Sequence, residues 1–166
     1  VYLQQERYED AESDLTYAIH LTPKSGYYIN RALTRYHRQE LRGAMSDYDL
    51  ALDLEPNNVL GRYNRGLLRA QVGDDNRAIE DFNVVIEYEP DNTMAVFNRA
   101  LLLMQTGDLE GAEADLDRVL DEYPKFLYGY QCRADVRRKQ GRLKEAEQDE
   151  FVVLRAQMEE QNRLLT

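Results

Sequence analysis

The chain has 166 residues, about one domain's worth, with 21 Lys and Arg against 31 Asp and Glu and a formal net charge of −10. Hydrophobic residues at 43% and charged residues at 31% are ordinary globular proportions, which excludes general disorder and a collagen-like chain. The acidity argues against nucleic-acid binding, which needs a dense patch of Lys and Arg to neutralise phosphates.

The four prolines set the organisation. Pro23, Pro56, Pro90 and Pro124 follow one another at steps of 33, 34 and 34 residues. Other residues keep the same step: Ala11, Ala44, Ala78, Ala112 and Ala146; Arg31, Arg65, Arg99 and Arg133; Asp14, Asp47, Asp81, Asp115 and Asp149. A period of this size is the signature of a repeat architecture.

In chain order, the phase places Tyr8–Leu21 as the second helix of a partial repeat (1–24), with Val1–Gln5 as a stub of its partner helix, so the chain is expected to begin inside a repeat of a longer protein. Repeats follow at 25–58, 59–92 and 93–126, each expected to hold two helices, a tight turn between them and a proline stop. In the third, Thr93–Thr106 and Leu109–Tyr123 carry apolar residues at helical spacing, and Gly107 supplies the positive φ that ends the first helix. Gly73 repeats that role in the second, whereas Gln39 holds the glycine slot in the first. The terminal repeat, 127–166, is expected to end in one long helix, Leu143–Leu165, because Met158 stands where the others have proline. As the end of an array this helix is expected to serve as a cap.

These residues resemble the tetratricopeptide repeat, whose pattern over 34 residues is W-x2-L-G-x2-Y, then A-x3-F, then P. The small residue falls on Ala32, Gly66, Ala100 and Ala134, the second-helix alanine on Ala44, Ala78, Ala112 and Ala146, and the following aromatic on Tyr48 and Phe82. Leu116 and Glu150 depart from the aromatic slot, Tyr28, Arg62, Val96 and Tyr130 hold the Trp slot, and arginine replaces the Leu each time. The resemblance implies an all-α, right-handed helical-hairpin solenoid of about four and a half repeats, forming a single domain over 1–166.

The arginine at the helix seam needs a carboxylate, and the recurring aspartate is the natural partner, in its own repeat or a neighbouring one. Five Asp against four Arg leave one over, expected at an end.

In the family the first helices line an inner, concave wall. There Asn30, Asn64 and Asn98, followed by Cys132, stand two residues before the small position. An asparagine amide offers both a donor and an acceptor to one peptide unit of an extended partner. With packed helices about 8 to 10 Å apart and about 3.3 Å per extended residue, one Asn per repeat meets roughly every third residue of a bound peptide. This resembles the asparagine ladder in the repeat domain of the O-linked N-acetylglucosamine transferase. Ile29, Tyr36, Tyr63, Phe97, Met104 and Tyr128 are expected to flank the ladder as an apolar groove, with Leu33, Leu67 and Leu101 shared with the core. The family's clamp for acidic chaperone tails is not expected, since Ile29, Tyr63, Leu60, Met94 and Tyr128 stand where its cations would be.

The expected function is thus a protein-interaction scaffold binding a protein or extended peptide, with self-assembly into a homo-oligomer, or service as an accessory domain of a larger protein, as alternatives. No enzyme is read: the only histidines are His20 and His37, and no nucleophile, metal or phosphate-loop motif is present. No catalytic residue, metal or cofactor is assigned. Cys132, the only cysteine, excludes an intramolecular disulfide and a cysteine zinc site. Clusters such as Ala100–Met104 and Phe151–Leu154 are too short to span a bilayer, and no basic segment precedes an apolar one at the start. The chain therefore reads as soluble, without a targeting segment, and its compartment is open.

Overall fold

The computed structural model describes residues 2–166, with side chains from residue 4 onward. Among the described residues there are nine α-helices and no strand: α1 (Tyr2–Leu21), α2 (Ser25–His37), α3 (Leu41–Leu54), α4 (Val59–Gln71), α5 (Asp75–Tyr88), α6 (Thr93–Thr106), α7 (Leu109–Glu122), α8 (Leu127–Lys139) and α9 (Leu143–Leu165). The fold is the all-α helical-repeat class that the sequence implies. Two compact units divide the chain, Val1–Glu89 and Pro90–Thr166. In the first, α2 pairs with α3 and α4 with α5, while α1 packs on α2 and α3 on α4. In the second, α6 pairs with α7 and α8 with α9, and α7 packs on α8.

The start of the chain corrects one expectation. Helix α1 runs unbroken from Tyr2 to Leu21, so Tyr2–Gln5 form its first turns and not a remnant of a separate helix. Nothing between Gln5 and Tyr8 stops a helix, since Gln, Glu and Arg all favour one. Val1 lies outside the described residues.

Helix ends follow local chemistry. Helices α3, α5 and α7 stop two residues before Pro56, Pro90 and Pro124, and the residue preceding each proline is extended: Glu55 at φ −134°, ψ 87°, with Glu89 and Tyr123 close to it. The Asn58, Asn92 and Asp108 side chains accept hydrogen bonds from the amides of Gly61, Ala95 and Gly111 at 2.9 to 3.0 Å, capping α4, α6 and α7. Gly73, Gly107 and Gly141 take positive φ between the paired helices, and Gln39 takes the same conformation at φ 64°. It is the single non-glycine residue to do so among those described.

Small residues let the helices close on one another. The repeating alanines Ala32, Ala44, Ala78, Ala100, Ala112 and Ala146 are fully buried. In the first unit Ile29, Ala32, Ala44, Tyr48, Ala51 and Leu68 share one core. In the second Ala100, Ala112, Leu116, Cys132 and Val136 do so. Gly66 permits a close approach: a methyl there would stand 3.1 Å from the Phe82 ring, which would have to give by a few tenths of an ångström. Leu116 fills the family's aromatic slot fully buried. Glu150 cannot, and its carboxylate turns out to accept two hydrogen bonds from Arg138, at 2.7 and 2.6 Å.

Candidate functional site

The repeating Arg and Asp meet within their own repeats. Arg31 donates to Asp47 at 2.9 and 2.7 Å, Arg65 to Asp81 at 3.0 and 2.9 Å, Arg99 to Asp115 at 2.8 and 2.7 Å, and Arg133 to Asp149 at 3.0 and 2.7 Å. Each is a two-bonded fork from Nε and Nη2, joining the first helix of a repeat to the second across the hairpin seam. Asp47 and Asp81 are fully buried, and Asp81 also accepts from Arg62 at 3.0 Å and Arg69 at 2.8 Å. Asp14, the fifth of the series, is exposed on α1 without an ion pair among the described residues. The guanidiniums of Arg31 and Arg133 lie over the Tyr28 and Tyr130 rings, 5.6 and 5.4 Å from their centroids, so the Trp slot still supplies an aromatic face in those repeats. Bonding to Asp47 raises Arg31 above its ordinary pKa against the opposing effect of burial.

A second layer of ion pairs joins successive repeats. Arg65 reaches back from α4 to Asp49 of α3, and Arg133 from α8 to Asp117 of α7, each at 2.9 Å. Glu12 of α1 accepts from Arg35 of α2 at 3.0 Å and also from Arg38. At the equivalent position of α7, Glu113 accepts from Arg137 of α8 at 2.9 Å and from Arg142 at 2.7 Å. Burial alone raises the Glu12 and Glu113 carboxyls, but the hydrogen bonds from these arginines outweigh it and hold both below the usual carboxylate value. No buried side-chain nitrogen or oxygen among the described residues is left without a partner.

The predicted binding residues divide between the units. In the first, Asn30 is exposed on α2 and Asn64 half-buried at the equivalent position of α4. A cleft of about 100 Å³ is lined by Leu33, Tyr36, Asn64, Leu67 and Gln71 among others. At its rim the Tyr36 hydroxyl donates to Gln71 Oε1 at 2.9 Å. Tyr63 stands half-buried, edge-on to Phe82 with ring centroids 5.7 Å apart. Ile29 corrects the sequence reading: it is 2% exposed and belongs to the core with Tyr48 and Leu68, because its place on α2 faces the partner helices and not solvent. Leu33 and Leu101 are half-buried, as shared residues would be, while Leu67 is 38% exposed.

In the second unit Asn98 is half-buried on α6, and Met104 packs at the edge of the core. Phe97, Phe126 and Tyr128 form an edge-to-face cluster, with Phe97 centroids 5.0 Å from Phe126 and 5.7 Å from Tyr128. This cluster belongs to a feature the sequence reading missed, an apolar cleft of about 740 Å³ lined by Met94, Phe97, Val119, Tyr123, Lys125 and Phe126 among others. Its signal in the sequence is the pair of aromatics around Pro124, which reads as turn punctuation until the turn is folded over α6. Cys132 is buried, and burial pushes its thiol above the ordinary value. His37 ends α2 and stacks on Tyr8 with centroids 5.5 Å apart.

No group of three or more His, Cys, Asp or Glu side chains among the described residues is placed to hold a metal. No helix of the described residues is long and apolar enough to cross a membrane. No curated protein matches the chain in sequence. Among solved structures, a crystal structure of MamA superposes with a TM-score of 0.82 at 14% identity, covering 93% of this chain and 91% of that one. MamA from Desulfovibrio magneticus gives 0.79 at 16% identity, covering 94% and 96%. A tetratricopeptide repeat protein from Parabacteroides merdae gives 0.67 at 26% identity, covering 87% of this chain and 57% of that one. These likenesses establish a shared fold. The family model described as Tetratricopeptide repeat matches residues 1–59 and 63–125. With the period, the buried alanines and the helical hairpins already in place, that match closes the question of kinship: the chain belongs to the tetratricopeptide repeat family.

Proposed function

We propose that the chain binds an extended peptide along its first-type helices, with Asn30, Asn64 and Asn98 reading the peptide backbone and apolar side chains holding alternate residues. Tetratricopeptide repeats bind proteins or peptides on a non-catalytic framework, and the chain is a protein-interaction scaffold of that kind. The observation that carries the finer reading is the recurrence of an asparagine with accessible surface at one position of α2, α4 and α6, on helices whose arginines are already committed to buried carboxylates. An amide kept there three times, beside Tyr36, Leu67 and Tyr63 in the first unit and Phe97, Met104 and Tyr128 in the second, suits a ligand recognised by its peptide groups and uncharged side chains.

The test is selection from a displayed library of random peptides, followed by affinity measurement on wild type and single Asn→Ala variants. Peptides with uncharged residues at a spacing of about three, bound through all three asparagines, are the expected product. Enrichment of acidic carboxyl-terminal peptides, or none, contradicts the reading.

A further inference from the structure

The apolar cleft of the second unit is built at positions whose equivalents in the first repeat serve the fold alone. One place in the period reads Gly26, Leu60 and Met94, a second Ile29, Tyr63 and Phe97, and a third Asn58, Asn92 and Phe126. In the repeat 25–58, Ile29 belongs to the core and the Asn58 side chain caps the next helix. In the repeat 93–126, Met94 is 64% exposed, Phe97 is half-buried, and Phe126 stands at the start of α8, which has no side-chain cap. Asparagine is among the best capping residues and phenylalanine offers no acceptor, so α8 forgoes a bond that α4 and α6 both keep. Phe126 instead forms a wall of the cleft and meets Phe97 and Tyr128 edge-on. A local rule broken in one repeat and kept in two is expected where a site needs the residue.

The lining selects the occupant. At about 740 Å³ the cleft is of ligand-binding size, and Met94, Phe97, Val119, Tyr123 and Phe126 give it apolar walls. Phe97 and Phe126 already pack edge to face at 5.0 Å, an arrangement that offers faces and edges to a further ring, and Met94 sets a polarizable sulfur beside it. The neutral polar groups at the mouth serve the fold: Thr93 donates to Glu122 at 2.6 Å, and Asn92 caps α6. The charged groups lining the mouth are Asp91, Glu122 and Lys125, all exposed, two carboxylates against one ammonium. The Arg118 guanidinium is turned to the Pro90 carbonyl. In a chain of net charge −10 this mouth favours a cation next to the ring. Met94 stands four residues before Asn98, on the same face of α6 and about 6 Å along its axis, so a peptide held at Asn98 passes within a side chain's reach of the cleft.

We propose that this cleft is the specificity pocket of the peptide-binding face: it takes an aromatic side chain of the bound peptide whose neighbour in sequence is a lysine or arginine, the cation lying toward Asp91 and Glu122. The inference rests on the reading of α6 as a peptide-binding helix. The probes are acetyl-Trp-Lys-amide and acetyl-Trp-Glu-amide, too short to span two asparagine rungs, titrated with the whole chain and followed by tryptophan fluorescence, since the chain has no tryptophan of its own. Saturable binding is expected, about threefold tighter for the lysine probe, with the methyl resonance of Met94 shifting while those of Met45, Met104 and Met158 stay in place. Phe126→Asn returns the capping residue of α4 and α6 to the start of α8, so the chain should stay folded while affinity falls about tenfold or more. Met94→Ser, at an exposed position, is the second variant and should weaken binding without moving the melting temperature. Absence of saturable binding, affinity unchanged in both variants, or equal or tighter binding of the glutamate probe overturns the inference. Full affinity of library-selected peptides for the triple Asn→Ala variant overturns the asparagine reading and leaves the dipeptide results to decide the pocket. Selected peptides that bind through the asparagines but carry no aromatic residue beside a basic one overturn the pocket alone.

Discussion

At the scale of the residue, Asp81 shows most plainly why an arginine stands where the family has leucine. Three guanidiniums converge on one fully buried carboxylate. Removing it takes the carboxylate from Arg62 and Arg69 and leaves Arg65 with Asp49 alone, so Asp81→Ala should cost roughly 3 to 5 kcal/mol in denaturant unfolding. Asp14→Ala should cost almost nothing, since Asp14 is exposed and makes no ion pair among the described residues. Loss of peptide binding by Asp81→Ala at an unchanged melting temperature would contradict this structural role. Gln39 makes a second point. Its φ of 64° is a conformation that glycine adopts freely and an L side chain does not. Gln39→Gly should therefore raise stability by about 1 kcal/mol, and Gly73→Ala should lower it by a similar amount. The sequence period alone located Gln39 in that turn, because the slot is defined by its neighbours and not by its own residue type.

At the scale of the element, helix boundaries were almost wholly legible. The expected Thr93–Thr106 is α6 itself, and the expected Leu109–Tyr123 is α7 with one residue more than observed. Proline, glycine and capping side chains act on the adjacent backbone, so their effect can be read locally. Which face a residue presents depends on packing, and this is where Ile29 was misplaced. The asparagine beside it is outward while Ile29 points into the core, since one step along a helix turns the side chain by about a quarter of a circle or more. Whether Arg65 meets the recurring aspartate of its own repeat was likewise open in the sequence; it meets Asp81, and its second partner, Asp49, lies outside that series.

The seams between α1 and α2 and between α7 and α8 carry a pH dependence. The folded-state values of Glu12 and Glu113 lie below the ordinary 4.5, so the unfolded chain takes up protons first as pH falls. The stabilisation they give is present above about pH 4.5 and is lost as pH drops through their depressed values. Hydrogen exchange should show α1 and α8 losing protection on acidification, and Glu12→Gln should remove that part of the dependence in α1. An unchanged profile in the variant would count against the Arg35 and Arg38 pairs as its source.

At the scale of the whole molecule, charge and chemistry are segregated. Most guanidiniums on the first-type helices are consumed by carboxylates at the seams, which leaves asparagine, tyrosine, leucine and methionine as the residues through which those helices can meet a ligand. The net charge of −10 is consistent with that: the surplus carboxylates stand largely on exposed helix faces. An account in which the three asparagines read a peptide backbone then makes a demand on the ligand as well as on the protein. Calorimetric titration of a library-selected peptide into wild type and into the Asn30→Ala, Asn64→Ala, Asn98→Ala triple variant, repeated with the peptide N-methylated at every third amide, is the most direct test. The account predicts unchanged helix content and melting temperature, a loss of about 1 kcal/mol of binding for each hydrogen bond removed, and little further loss when the methylated peptide meets the triple variant. Full affinity in the triple variant, or a collapse of its stability, would contradict it.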